Sequence, residues 1–170
     1  MKYIIIMITC IFIVSCNKKT EVTDGFKISF LKKILKDTLI IKKNYLSQGI
    51  CLSTVFPNLP NYIEEKGVLV KQASLDKYLS KVLEEDISFI KKQLKNHKSL
   101  DLNLLKEPNI KVIKNKKDNI DCLMIDNPIF NKRKDLAYIR FGVKSRGKAY
   151  LLQQKEKTWK VLRELDNWIE

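Results

Sequence analysis

Apolar and polar positions alternate cleanly from Leu136, with Ala137, Ile139, Phe141 and Val143 on one side and Tyr138 and Arg140 on the other. A period of two is the signature of a β-strand with distinct faces. Ser145-Arg146-Gly147 reads as a hairpin turn, Ala149 to Gln153 as the next strand, Lys155-Glu156-Lys157 as a second turn and Trp159 to Leu162 as a last strand. The tail Leu165 to Ile169 carries Trp168 and is expected to dock on the core. Strands joined by turns this short pair antiparallel, so the C-terminal third predicts a β-meander. Shorter strands are expected at Ile110–Ile113 and Ile120–Ile125, with Asn127-Pro128 breaking the chain before Ile129-Phe130.

The period changes upstream. Leu75, Tyr78, Leu79, Val82, Leu83, Ile87, Ile90 and Leu94 recur at helical spacing. They predict an amphipathic helix over about 75–95, with Ser74 as its N-cap and Lys91, Lys92 and Lys95 near its negative end. Phe26, Phe30, Leu31, Ile34 and Leu35 predict another helix to about Lys36, followed by a β-branched stretch Thr38–Ile41 that reads as a strand. Residues 53–62 hold two prolines and two asparagines and read as a loop, and 67–70 as a short strand or turn. The fold class is therefore α+β: an N-terminal helical part, with the long helix packed on a C-terminal antiparallel meander.

The N-terminus follows neither period. Lys2 precedes an apolar run from Ile4 to Val14, with Thr9 inside it, then Ser15-Cys16. One positive charge, about 11 apolar residues and a small residue at the boundary make the layout of a secretory signal. The run is shorter than the roughly 20 residues a spanning helix needs. Ile13-Val14-Ser15-Cys16 resembles the lipobox of bacterial lipoproteins: a branched aliphatic residue, a tolerant position, a small residue and an obligatory cysteine. The resemblance implies that residues 1–15 are removed and that the Cys16 thiol carries a diacylglycerol. It places the chain in the bacterial cell envelope, lipid-anchored, and the lack of an acidic run after Cys16 favours the periplasmic side. Residues 16–25 read as a flexible polar tether and 26–170 as a single domain.

From about Tyr78 the chain also resembles a loose group of Bacteroidota envelope lipoproteins of unassigned activity. The carriers are Phe89-Ile90-Lys91-Lys92-Gln93-Leu94, Asn127-Pro128-Ile129-Phe130-Asn131, Leu136-Ala137-Tyr138, Ala149-Tyr150-Leu151-Leu152, Trp159-Lys160-Val161 and Trp168-Ile169. Many of that group have a Cys-Gly-rich hairpin where this chain has Lys144-Ser145-Arg146-Gly147-Lys148, so no role of those cysteines transfers. The hairpin-plus-Trp ending is also similar to cone-shaped α+β domains of the nuclear-transport-factor-2-like type, an analogy of fold alone.

Charge changes the picture less than its size suggests. The 170 residues carry 33 Lys+Arg against 19 Asp+Glu, a net charge of +14. Lys accounts for 29 of the cations and Arg for 4, and Lys, Ile and Asn together make 62 residues, a skew that AT-rich codons alone produce. Arginine, which suits bidentate contacts to bases and phosphates, is scarce, and no nucleic-acid-binding motif occurs. Nucleic acid is not an expected partner; anionic lipid, lipopolysaccharide or another envelope protein is.

Cys51 and Cys122 remain after cleavage, either as a disulfide or as two buried thiols. No metal-ligand spacing, phosphate loop or nucleophile elbow appears, and neither a metal nor a cofactor is expected. The single His97 reads as a solvated helix end. Tyr138 and Arg140 share a strand face and would border a pocket if one exists there; a cross-strand surface charge is the alternative. Trp159 and Trp168 fit a core better than a ligand pocket. The sequence thus points to a non-enzymatic binding or interaction domain. Its alternatives are an anionic-lipid-binding module and an enzyme or ligand binder with a cone-shaped pocket.

Overall fold

A computed structural model describes residues 21–37, 40–41, 49–51, 64–65, 68–69, 81, 84–95, 99–108, 110–113, 122–143 and 146–169. Cys16, His97, the loop 53–62 and most of 75–83 lie outside them.

The first helix, α1, spans Asp24–Leu35. Thr23 is its N-cap: it is extended (φ −78°, ψ 156°), and its Oγ1 accepts the Phe26 N–H at 3.2 Å, which satisfies one of the unpaired donors of the first turn. Asp24 in the first turn and Lys32 and Lys33 in the last both suit the helix dipole. The helix thus opens two residues before Phe26, within the stretch that composition reads as tether. Ile28, Phe30, Leu31, Ile34 and Leu35 form its buried stripe. The expected strand over Thr38–Ile41 does not form where the chain is described. Ile40 and Ile41 both donate to the Asp37 carbonyl in a turn and are buried there. Their β-branched apolar side chains serve the core, and core burial favours them in a turn as well as in a strand.

Strand β1 (Ile50–Cys51) pairs in parallel with β4 (Val112–Ile113). Glu64–Glu65 (β2) and Val68–Leu69 (β3) make a small antiparallel pair. The second helix, α2, is described over Glu84–Lys95, the C-terminal half of the expected amphipathic helix. A 3₁₀ turn follows at Leu102–Leu105, capped by Asp101.

The main sheet has five strands among the described residues. β5 (Met124–Ile125) and β6 (Ile129–Phe130) both run antiparallel to β7 (Leu136–Val143), at its two ends. β7 then pairs with β8 (Arg146–Lys155), and β8 with β9 (Thr158–Ile169), both antiparallel. The tail read as a docked segment is therefore the second half of β9. Two register shifts leave Leu162 and Leu165 as extra residues in β9. Such bulges bend an edge strand and interrupt the row of groups it presents. β1 joins the sheet through a parallel bridge from Ile50 to Leu123. Gly49, just before β1, has φ +84°, and a Cβ there would stand 2.8 Å from Ile113 Cδ1 and 2.9 Å from the Lys111 carbonyl oxygen. The tight approach of β1 to β4 requires a glycine at this position.

Each face of the sheet has a helix. Ala137, Ile139, Phe141, Tyr150 and Leu152 share one core with Phe30, Leu31 and Ile34 of α1 and with Leu102 and Leu105. Phe30 meets Phe130 and Trp159 edge-on, with ring centroids 4.9 and 4.8 Å apart. The opposite face puts Tyr138, Ala149, Leu151 and Leu165 against Ile90 and Leu94 of α2. Each fully buried Leu, Ile or Phe contributes roughly 1.5–3 kcal/mol. Burial on both faces explains why Ala149-Tyr150-Leu151-Leu152 is apolar without a break.

Candidate functional site

α2 is held to the sheet by polar contacts as well as by Ile90 and Leu94. The Gln93 side-chain amide donates to the Phe130 carbonyl at 2.7 Å and accepts the Phe130 N–H at 3.1 Å, so it pairs with β6 as a strand residue would. Buried Asp86 accepts the Lys132 N–H at 2.9 Å. Asn131 builds the turn that follows. Its Oδ1 accepts the Asp135 and Leu136 N–H groups at 3.0 and 2.9 Å, and its Nδ2 donates to Asp135 Oδ1 at 2.6 Å. The segments around Gln93 and Phe130–Asn131 therefore meet in space, and their polar groups serve one another.

The alternation along β7 places Tyr138 and Arg140 on one face, as the sequence predicts, but their surroundings differ. Tyr138 is 3% exposed and packs among Ile90, Leu94 and Leu151. Arg140 lies one pleat further on. The register of β5 against β7 brings Asp126 opposite it: the Asp126 N–H donates to the Arg140 carbonyl at 3.0 Å, and Asp126 Oδ2 lies 3.6 Å from Arg140 Nε. Only 17% of the Asp126 side chain and 13% of the Arg140 side chain remain exposed. The pair is thus a largely dehydrated ion pair, not the surface charge that an arginine on a strand suggests. Burial pushes the Asp126 carboxyl up to about 7, against the opposing pull of the Arg140 charge. A carboxyl in that range can exchange a proton at neutral pH. Asp126 carries no sequence signal, because Asp126-Asn127-Pro128 reads as an ordinary turn and only the strand register reveals its partner. Burial also pulls the Lys27 ammonium of α1 down, while Asp24 one turn earlier opposes the shift.

Cys51 and Cys122 form a disulfide, with Cα atoms 5.2 Å apart across 71 sequence positions. The Cys51 N–H donates to the Leu123 carbonyl at 3.0 Å, and the Leu123 N–H donates to the Gly49 carbonyl at 2.9 Å. The bridge thus lies beside the hydrogen bonds that join β1 to the start of β5. Trp159 is a core residue between Phe30 and Phe130. Among the described residues no group of three or more His, Cys, Asp or Glu side chains is placed to hold a metal ion. No described helix is long and apolar enough to cross a membrane.

No protein-family model matches this chain, and no curated protein or solved structure shows significant similarity to it.

Proposed function

We propose that this protein is a lipid-anchored component of the bacterial cell envelope, held by an acylated Cys16, whose α+β domain binds another envelope component without catalysing a reaction. The observation that carries the reading is Ile13-Val14-Ser15-Cys16 after an apolar run of signal-peptide length. The disulfide between Cys51 and Cys122 supports it, because such bonds persist in oxidising compartments and are rare in the cytosol. Two or more acyl chains give stable anchoring, since each buried CH₂ contributes about 0.8 kcal/mol and a single chain binds only marginally.

The test is the intact mass of native protein extracted from membranes, with and without reductant. The expected mass is that of residues 16–170 plus acyl chains, rising by two hydrogens on reduction. An unmodified full-length mass would remove both the anchor and the compartment.

A further inference from the structure

The first described residue, Glu21, stands five positions after Cys16 and already belongs to the domain. Its carboxylate lies 3.2 Å from Lys92 Nζ on α2, its carbonyl accepts from Lys134 Nζ at 3.1 Å, and Val22 packs against the main core. Five chain steps reach at most about 18 Å. That is close to the radius of gyration of about 15 Å expected for the 155 residues from Cys16 onward. An anchor at Cys16 on so short a lead cannot serve every face of the domain equally. The end that carries Glu21 is the one it brings to the bilayer.

That end is cationic. The turn between β6 and β7 and the turn between β8 and β9 close the same end of the sheet, joined by the Gln154 N–H to the Asp135 carbonyl at 2.8 Å. Together with α2 they present Lys92, Lys132, Arg133, Lys134, Lys155 and Lys157. Among the described residues four carboxylates lie beside these six cations: Glu21 is engaged by Lys92, Asp135 by Asn131 and Arg133, buried Asp86 accepts the Lys132 N–H, and Glu156 sits at the tip of the second turn. Lys134 and Lys157 have positive φ (61° and 66°), where asparagine fits the backbone with less strain. The backbone therefore does not account for lysine in both turns.

We propose that this end is the membrane-facing surface, seated on anionic lipid headgroups by short-range attraction to these cations. The proposal rests on acylation of Cys16. It is tested on the full acylated protein reconstituted in phosphatidylcholine vesicles with and without phosphatidylglycerol. An amine-reactive reagent labels the outer surface, and mass spectrometry reads each lysine. On the anionic vesicles, labelling of Lys132, Lys134, Lys155 and Lys157 is expected to slow by about threefold or more relative to Lys36, Lys106 and Lys111, and high salt is expected to abolish the difference. The double charge reversal Lys132→Glu/Lys155→Glu, at two exposed positions, should restore labelling of Lys134 and Lys157. Equal labelling of the two lysine sets on protein whose mass shows the acyl chains would overturn the orientation and leave the anchor standing. Protection that is as strong on neutral vesicles, or that survives high salt, would overturn the role of charge. A mass without acyl chains would remove the anchor itself.

Discussion

Asp126 is held between dehydration, which favours its proton, and Arg140, which favours its charge. Dehydration dominates, so the folded protein binds the proton more tightly than an unfolded chain with a carboxyl near 3.8. The sign of the pH effect follows. Below 3.8 both states are protonated and nothing is lost; as the pH rises towards about 7 the unfolded chain ionises first, and this group's contribution to stability falls. Asp126→Asn removes that titration while keeping the side chain's shape. Urea midpoints of wild type and variant should diverge across this window, with the wild type losing stability relative to the variant as pH rises. A difference that is flat with pH, or of opposite slope, would show that Asp126 stays ionised. At this scale the sequence shows the face that Arg140 occupies but not what it meets. Alternation fixes a side chain's direction within a strand, whereas its partner depends on the register of a second strand whose regular part is only two residues long.

At the scale of elements, legibility follows length. β7 spans eight residues and its period places every side chain on its observed face. α1 shows its stripe over twelve residues and ends at the Lys36 boundary read from the sequence. The parallel pair β1–β4 consists of two-residue strands, too short to show any period, and it depends on contacts between distant parts of the chain. The attachment of α2 is equally hidden, because a glutamine that completes a strand's hydrogen bonds looks like any wet-face residue. Gln93→Ala would leave the Phe130 N–H and carbonyl without these partners in a half-buried site, at a cost of about 1–3 kcal/mol. Chemical denaturation measures the loss, and amide exchange at Phe130 should accelerate in step with it. An unchanged midpoint would mean that Ile90 and Leu94 alone hold the helix.

At the scale of the whole molecule, the reading of one helix on a meander becomes a sheet with α1 on one face and α2 on the other. The apolar residues on both sides of β8 are the sequence trace of that arrangement. The disulfide acts at this scale too, since it joins positions 71 apart. By loop-closure entropy, replacing both cysteines with alanine should cost up to about 4 kcal/mol, read as a lower denaturant midpoint that no longer responds to reductant. A double variant as stable as the oxidised parent would show that the bridge adds nothing to the fold.

The same bond makes residues 51–122 a closed ring in the covalent chain, with β5 to β9 following it. A protease that cuts once inside this ring opens it without dividing the protein. The clipped molecule would keep its full mass on a non-reducing gel and separate only when reduced. The C-terminal sheet would stay attached to whatever holds the N-terminal end, even after such a cut.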